Sequence, residues 1–179
     1  MVLATDIWTP NCLKNIGKFM KRRNLSFTET LIDSHSFLFF DHIEQQSYIL
    51  ILMAHDKVGV EVLKKYIEHC MNKQINHYIV IYQKSITSTC LKILNNFFEY
   101  NIELFPLDQF KFDITRIKYY TKHEKVSDNE KKRLKKIYQG SNLPVILASD
   151  PIVRYFGFKK DDILLIHREN NELYYRIVK

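Results

Sequence analysis

The sequence predicts an α/β unit, a mostly parallel sheet with helices on both faces, followed by a small α+β unit. Apolar runs alternate with amphipathic stretches between residues 48 and 105, and this alternation stops after Pro106. Strands that are apolar on both faces and joined by helices are typical of a covered parallel sheet. The 179 residues include 4 Gly and 4 Pro, which argues against long flexible linkers. We place the first unit at residues 1–110 and the second at 111–179, with the boundary between 107 and 115.

The first unit opens with a helix start signal. Thr9 can cap the helix and Pro10 suits its first position, because the missing N–H is not needed there. Leu13, Ile16, Gly17 and Met20 share one face at helical spacing. Residues 34–47 fit either a strand or a helix, since a short apolar run such as 37–40 does not distinguish them.

The alternating region predicts a β-α-β-α-β order. Its strands cover residues 48–54, 77–82 and 101–105, and its helices cover 60–71 and 87–98. In the second unit, residues 114–120 predict an extended segment. Ser127 and Glu130 form a capping box for a helix that runs to Gln139 and is closed by Gly140. A short helix follows from Asp150-Pro151 to Gly157, and residues 163–167 and 173–178 form a hairpin.

The charge is basic and unevenly placed. The net charge is +7 and the pI is about 9.2, which favours a polyanionic neighbour. Dense blocks of Lys and Arg occupy residues 21–23 and 131–136. Leu134, Ile137 and Tyr138 can bury one face of the second block. Its lysines are then either a solvated face or a surface for DNA or an acidic partner.

Catalytic and metal-binding patterns are missing from the sequence. No glycine-rich phosphate loop, GxSxG elbow or zinc spacing occurs, so we expect no catalytic residue, metal or cofactor. The three separated cysteines indicate a reducing compartment, and no apolar run is long enough for a membrane span. His55-Asp56 follows a strand end, where catalytic residues often lie. A metal-dependent nuclease is the enzymatic alternative. Its site would need clustered carboxylates and a lysine, often as an acidic-x-Lys triplet on a strand. The matching triplet Glu130-Lys131-Lys132 starts a helix instead, and Glu103 is the one acidic residue within a predicted strand of the first unit.

One loop has a DNA-facing interpretation on physical grounds. Residues 83–89 connect a strand to a helix and contain Lys84, Ser85, Thr87 and Ser88. A lysine, hydroxyls and the N–H groups at a helix start can contact phosphate. Ordinary capping by Ser or Thr, which needs no ligand, explains the same pattern.

The second unit carries motifs of a known family. LPVI at 143–146, SDPIVRYFGFK at 149–159 and KHEKVSDNEK at 122–131 resemble the patterns LP-x-I, DP-x-A-R-Y-Y-G-L-K and KHE-x-L-S-x-x-E-K. These belong to the fifth subunit shared by eukaryotic-type DNA-directed RNA polymerases, whose archaeal counterpart has the assembly domain alone. The first unit is similar to the jaw domain of the eukaryotic form, through VGV at 58–60, YIVI at 78–81 and ELF at 103–105.

The resemblance implies a non-catalytic polymerase subunit. Its second unit, the assembly domain, would dock on the largest subunit. The partner-binding residues it implies are Pro144, Asp150, Pro151, Arg154, Tyr155, Gly157 and Lys159. The jaw domain would lie near downstream duplex DNA, which the loop of Lys84, Ser85, Thr87 and Ser88 would contact through the backbone. No membrane and no homo-oligomer are expected. The location would be the nucleus for a cellular protein, or the virion and host cytoplasm or nucleus for a viral one.

Several positions depart from the family pattern. The terminal hairpin around residues 168–174 is shorter than the usual Ser-Glu-Thr-x-Gly-Arg-Tyr turn. Thr87-Ser88 replaces Thr-Pro in the jaw loop, and Val153 replaces Ala. Such drift, in a chain rich in Ile, Lys, Asn and Tyr, fits a fast-evolving or AT-rich genome, including that of a large DNA virus. A stand-alone DNA-binding protein, a nuclease and a free-standing regulator with the assembly fold are the competing hypotheses.

Overall fold

In the computed structural model, the described residues are 8–30, 35–71, 75–94, 100–138, 143–168 and 172–179. The chain divides into two compact units, Met1–Phe112 and Asp113–Lys179. Each unit contains its own sheet, so each is described by itself.

The first unit is built on a five-stranded mixed sheet. In chain order its elements are α1 Pro10–Arg22, β1 Leu25–Thr30, β2 Ser36–Asp41, β3 Gln46–Met53, β4 Lys57–Val58, α2 Val60–Met71, β5 His77–Tyr82, β6 Ser85–Ile86, α3 Ser88–Leu94, β7 Asn101–Pro106 and a 3₁₀ helix Leu107–Phe110. The sheet order is β1-β2-β3-β5-β7, and β4 and β6 form a separate parallel pair. The β-α-β-α-β order is confirmed, although residues 95–98 of its second predicted helix lie outside the described part.

The sheet contains more antiparallel pairing than the predicted, mostly parallel sheet. The β3–β5 and β5–β7 pairs are parallel, whereas the β1–β2 and β2–β3 pairs are antiparallel. The undecided segment 34–47 therefore supplies strand β2, whose residues 37–40 pair with β1 on one side and β3 on the other. Strands that are separated by only a few residues in the sequence pair antiparallel, and the parallel part begins once helices connect the strands.

Helices cover both faces of this sheet. On one face, side chains of α2 and α3 pack with alternate residues of β3 and β5; the buried members are Ile49, Ile51, Met53, Val58, Leu63, Ile75, Tyr78, Val80 and Cys90. On the other face, Phe19 of α1 packs edge-on against Phe105 of β7 and Phe110, each at 5.2 Å between ring centroids. Register pairs Phe105 with Ile81, which places α1 opposite α2 and α3.

Helix α1 begins as predicted but turns a different face inward. The Thr9 hydroxyl accepts a hydrogen bond from the Cys12 N–H at 3.3 Å, which caps the helix. Its buried residues are Cys12, Asn15, Ile16, Phe19 and Met20. Of the residues predicted to share one face, Ile16 and Met20 are buried, whereas Leu13 is 45% exposed and Gly17 is exposed. Cys12 and Phe19 extend the apolar stripe on the other side of Ile16, so burying Leu13 would expose them.

The second unit is a four-stranded sheet with one helix on each face. Its elements are a 3₁₀ helix Ile114–Arg116, β8 Lys122–Lys125, α4 Asp128–Ile137, β9 Val145–Ile146, α5 Pro151–Phe156, β10 Ile163–His167 and β11 Leu173–Val178. The order is β8-β10-β11-β9, with only β11 and β9 parallel. Leu134 of α4 packs with Ile163 and Ile177, while Val153 of α5 packs with Leu164 and Val178 on the alternate face.

Most second-unit predictions hold. The Ser127 hydroxyl caps α4 by accepting from the Glu130 N–H at 3.3 Å, whereas the Glu130 carboxylate bonds to Arg133 and not back to Ser127, so half of the predicted capping box is formed. Both hairpin strands have the predicted bounds. Gln139 and Gly140, like the hairpin turn 169–171, lie outside the described residues. The prediction of an extended segment at 114–120 is wrong. The Asp113 carboxylate accepts a hydrogen bond from the Thr115 N–H at 3.1 Å and so starts a 3₁₀ helix, and a turn joins Ile117 to Tyr120. Within the described ranges, no helix has the length and apolarity to cross a bilayer.

Candidate functional site

The most sharply defined candidate site is the capped helix α5. The Asp150 Oδ1 accepts hydrogen bonds from the N–H groups of Ile152 at 2.8 Å and Val153 at 3.4 Å. Pro151 occupies the first helical position. These contacts satisfy two of the N–H groups that a helix start leaves without intrahelical partners. The sequence-based prediction of this helix start is confirmed.

Gly157 ends α5 in a left-handed conformation, with φ 70° and ψ 27°. The Gly157 N–H donates to the Arg154 carbonyl at 3.2 Å, and the Phe158 N–H donates to the Val153 carbonyl at 3.0 Å. Both bonds satisfy carbonyls at the end of the helix, as in a glycine C-cap. The chain direction after α5 is therefore fixed by a conformation that a residue with a Cβ adopts at a cost.

The side chains of α5 divide between core and surface. Val153 and Tyr155 are buried, at 0% and 7% exposed, so the Tyr155 ring belongs to the core of this unit. Pro151 is exposed, Arg154 is half-buried, and Lys159 after the helix is exposed. Phe156 and Phe158 stack at 5.6 Å between ring centroids. Of the predicted residues on this segment, Pro151, Arg154 and Lys159 thus offer side-chain surface, whereas Asp150 and Gly157 set the backbone.

Asp162 anchors this segment and was not singled out from the sequence. Its carboxylate is buried, accepts from the Lys159 N–H at 2.9 Å and lies 3.1 Å from the Lys125 Nζ. Its N–H donates to the Lys159 carbonyl and its carbonyl accepts from the Val178 N–H. A sequence signal existed, because an Asp just before an apolar strand is a common site for side-chain bonding to the backbone.

Pro144 lies beside β9, at the edge of the second sheet. Its carbonyl accepts from the Ile177 N–H at 2.9 Å, and its side chain is exposed. Ile146, two residues on, packs in the same cluster as Val153. The LPVI and DP motifs therefore meet through one apolar cluster, although they are separate in the sequence.

A bridging carboxylate joins two strands of this unit. Glu124 on β8 lies 2.7 Å from the Nε2 of His167 on β10 and also pairs with Lys122. Hydrogen bonds from Lys122 and then from His167 hold the pKa of Glu124 below its usual value of 4.5. The negative charge on Glu124 thus strengthens the pairing of β8 with β10.

The loop at 84–88 has its polar groups largely satisfied within the chain. The Lys84 Nζ lies 2.8 Å from the Asp56 Oδ2, and both side chains are exposed. The Ser85 and Thr87 N–H groups donate to the Asp56 and Val58 carbonyls, each at 3.1 Å. The Thr87 hydroxyl accepts from the Cys90 N–H at 3.2 Å and so caps α3. Capping therefore accounts for Thr87, while Lys84, Ser85 and Ser88 present exposed side chains.

The acidic residues considered for a nuclease are held in ion pairs. Both Glu103 carboxylate oxygens accept from the Arg23 guanidinium at 2.7 Å, and both Glu130 oxygens accept from Arg133. His55-Asp56 leads into the exposed Asp56–Lys84 pair. Burial raises the pKa of the Cys90 thiol, which disfavours the reactive thiolate. Among the described residues, no three His, Cys, Asp or Glu side chains are grouped to hold a metal ion.

Comparison with known proteins relates this chain to polymerase subunits. A relative from Dictyostelium discoideum, named DNA-directed RNA polymerases I, II, and III subunit rpabc1, is 31% identical over 117 residues, or 63% of this chain and 59% of the relative. DNA-directed RNA polymerase subunit 5-like protein 1 of Arabidopsis thaliana is 31% identical over 118 residues, or 64% and 56%. The chain thus spans less than two thirds of the length of either relative.

Two further comparisons concern domains. The solved structure of an ATP-dependent Type ISP restriction-modification enzyme bound to DNA aligns with 79% of this chain and 11% of the enzyme chain, at 10% sequence identity. The TM-score of 0.42 is too low to show a shared fold. The model of the RNA polymerase Rpb5 C-terminal domain matches residues 112–178, which nearly coincide with the second compact unit. Residues 112–178 thus match the Rpb5 C-terminal domain, and the curated relatives that the chain resembles are named as subunits of eukaryotic RNA polymerases.

Proposed function

We propose that this chain is a non-catalytic subunit of a multisubunit DNA-dependent RNA polymerase. The observation that carries the proposal is the match of residues 112–178 to the Rpb5 C-terminal domain, over a unit that is compact by itself. Relatives that align with more than half of this chain are named as polymerase subunits. The chain would work in the nucleus of a cell, or with a virally encoded polymerase in the virion and the infected host.

The second unit would dock on the largest polymerase subunit and hold the assembly together. The proposed contact is made by Pro144, Pro151, Arg154 and Lys159, whose side chains reach the surface. Asp150 and Gly157 would position that contact by fixing the two ends of α5, and the buried Tyr155 would do so by packing in the core. A cap at each end fixes the α5 backbone, so this backbone needs little further ordering on binding. Such preorganisation lowers the entropic cost of association.

The first unit would form a jaw beside downstream duplex DNA. The exposed Lys84, Ser85 and Ser88 are the proposed contacts, with Thr87 fixing the start of α3. The Asp56 carboxylate, 2.8 Å from Lys84, offsets part of the lysine charge. Contacts from this loop would therefore be weak, would be made to phosphates and would carry little sequence information.

Affinity purification of the tagged full chain, followed by mass spectrometry, tests the proposal. The expected result is recovery of the largest polymerase subunit in a fixed ratio with this chain. Recovery in variable amounts that depend on growth conditions would instead indicate a free-standing regulator. A native polymerase purified from the same source without this chain would refute the proposal.

A charge-matched pair of variants tests the docking surface. Arg154→Glu should reduce recovery of the largest subunit, because it reverses a charge on the proposed contact. Lys160→Glu makes the same change in charge at an exposed residue close by in the sequence. Equal recovery with both variants would exclude α5 from the interface, provided that thermal unfolding shows both to be folded.

The nuclease alternative is not favoured. The carboxylates that it would use are held by Arg23 and Arg133. Cleavage of DNA by the isolated chain with Mg²⁺ or Mn²⁺, lost in Glu103→Gln, would restore that alternative.

A further inference from the structure

Helix α1 carries positive charge without any acidic residue. Its cations are Lys14, Lys18, Lys21 and Arg22. By contrast, α2 balances Glu61 and Glu68 against Lys64 and Lys65, and α4 contains Asp128 and Glu130. Among the described residues, no carboxylate lies within ion-pair distance of Lys14 or Lys21. A single-sign helix surface attracts a polyanion more strongly than a balanced one.

The lysines of α1 form one stripe on its outward face. Lys14, Lys18 and Lys21 follow the i, i+4, i+7 spacing that aligns side chains along a helix. The buried residues, including Cys12, Ile16 and Phe19, occupy the opposite face. At about 1.5 Å of rise per residue, the stripe covers roughly 10 Å of helix length. Lys14 and Lys21 are exposed, and Lys18 is half-buried with its Nζ 3.5 Å from the neutral Asn15 Oδ1.

Gly17 lies in the middle of this stripe. A glycine in a helix interior destabilises it by roughly 0.5–1 kcal/mol relative to alanine. A Cβ placed on Gly17 would meet no atom within 4 Å beyond its immediate helix surroundings, so internal packing does not require the glycine. What the glycine does provide is bare helix backbone between three lysines, at a point where an outside molecule can approach closely.

Charge and composition together indicate what that molecule is. Protein–protein interfaces are depleted in lysine and enriched in aromatic residues, whereas phosphate contacts are made by Lys and Arg. A nucleic-acid duplex carries about one charge per 1.7 Å of axis, so it presents several phosphates to a stripe of this length. Among the described residues of α1, Leu13 is the one large hydrophobic side chain that is exposed.

We propose that the outward face of α1, formed by Lys14, Gly17, Lys18 and Lys21, binds the backbone phosphates of a nucleic-acid duplex. This surface is distinct from the loop at 84–88. It does not rest on the polymerase assignment, because direct titration tests this surface and co-purification tests the assignment, and either result can fail alone.

Titration of the full chain with a labelled mixed-sequence DNA duplex of about 30 base pairs, from about 50 to 200 mM NaCl, tests the proposal. Lys14→Gln/Lys18→Gln/Lys21→Gln should weaken binding at least roughly tenfold and make the negative slope of log K against log salt shallower, by about 2.7 if all three lysines contact phosphates. The matched control, Lys132→Gln/Lys135→Gln/Lys136→Gln on α4, removes the same charge and should leave most of the affinity.

Three outcomes would overturn the proposal. One is that the wild-type chain fails to bind duplex even at the lowest salt. Another is an equal loss of duplex affinity in the two triple variants, which would show that net charge, and not the α1 surface, determines binding. The third is tighter binding of poly-glutamate than of duplex, lost with the α1 triple, which would assign the face to an acidic protein.

The glycine is tested separately. Gly17→Gln adds bulk without charge to a position that has no neighbour within 4 Å. It should keep or raise the thermal midpoint, because glutamine favours a helix more than glycine does, and it should weaken duplex binding several-fold, with Gly17→Ala intermediate. Wild-type affinity in a folded Gly17→Gln variant would remove Gly17 from the contact surface and refute close approach of the duplex to the helix backbone.

Discussion

Gly17 and Gly157 occupy opposite backbone environments. Gly17 is in the interior of α1, where any L-residue adopts the helical conformation. Gly157 has φ 70°, a value that costs a residue with a Cβ about 1–2 kcal/mol. The same substitution should therefore have opposite effects on stability at the two positions.

We expect Gly157→Ala to lower the free energy of unfolding by about 1–2 kcal/mol and Gly17→Ala to raise it by roughly 0.5–1 kcal/mol. Denaturant titration followed by circular dichroism measures both changes. Each variant controls for the other, since both add one methyl group. A loss of stability in Gly17→Ala would mean that a neighbouring atom opposes the added methyl group.

Arg23 connects the end of α1 to strand β7. Its guanidinium makes two 2.7 Å bonds to Glu103 and lies 4.5 Å from the Phe19 ring centroid. Removing one member of a buried pair leaves an uncompensated charge, which costs about 3–5 kcal/mol. Because the Glu103 side chain is 26% exposed, its loss should fall toward the low end of that range.

Glu103→Gln should therefore destabilise the first unit by about 3 kcal/mol. Unfolding followed by the fluorescence of Trp8, the single tryptophan, reports on this unit. Arg23→Met/Glu103→Met should recover part of the loss, because it removes both charges. If Glu103→Gln alone were neutral, the pair would be no more stabilising than a solvated one.

At the level of helices and strands, local signals explain which predictions succeeded. α2 and the hairpin strands have their predicted bounds, because apolar periodicity and flanking loop residues agree there. β1 was missed because five of its six residues are exposed, so that it carries no apolar pattern. The 114–120 segment failed because the Asp113 side chain competes with extended structure by starting a turn.

The candidate site was predictable to a similar extent. The residue types at Asp150-Pro151 and Gly157 are enough to predict a capped helix, and the helix is present. Burial of Tyr155 depends on the sheet that α5 covers, which residue spacing does not specify. The backbone contact of Asp162 could have been predicted from its place before an apolar strand, but its ion pair with Lys125 could not, since Lys125 is remote in the sequence.

The pairing of β8 with β10 should depend on pH through Glu124. Its lowered pKa means that stabilisation is present above the unfolded value, near 4.5, and is lost as pH falls through the folded value. The difference in unfolding free energy between wild type and Glu124→Gln should therefore shrink as pH falls from about 7 to about 3.

Asp161→Asn serves as the control for that measurement. Asp161 is exposed with φ 69°, a conformation that Asn tolerates. Its effect on stability should not reproduce the pH profile of Glu124→Gln. A Glu124→Gln difference that stays constant across the range would show that the carboxylate charge does not stabilise the strand pair.

The two compact units predict separable folding of the whole chain. The second unit has a four-stranded sheet and a helix packed on each face, with clusters centred on Leu134 and Val153. A fragment of residues 113–179 should unfold cooperatively by itself, although domains of this size are marginally stable. Thermal unfolding by circular dichroism measures this, and a non-cooperative melt would mean that the unit needs the first one.

Strand β11 lies between β10 and β9, so an inner strand of this sheet comes after all the other described strands in the sequence. The Lys179 N–H and carbonyl also bond to Ile146 and Ala148. During synthesis this sheet stays divided until β11 has left the ribosome, by which time the described strands of the first unit have all been made. For that interval Ile163 and Leu164 lack the β11 residues that they pack with, so rapid emergence of β11 or binding by a chaperone would protect the nascent chain from aggregation.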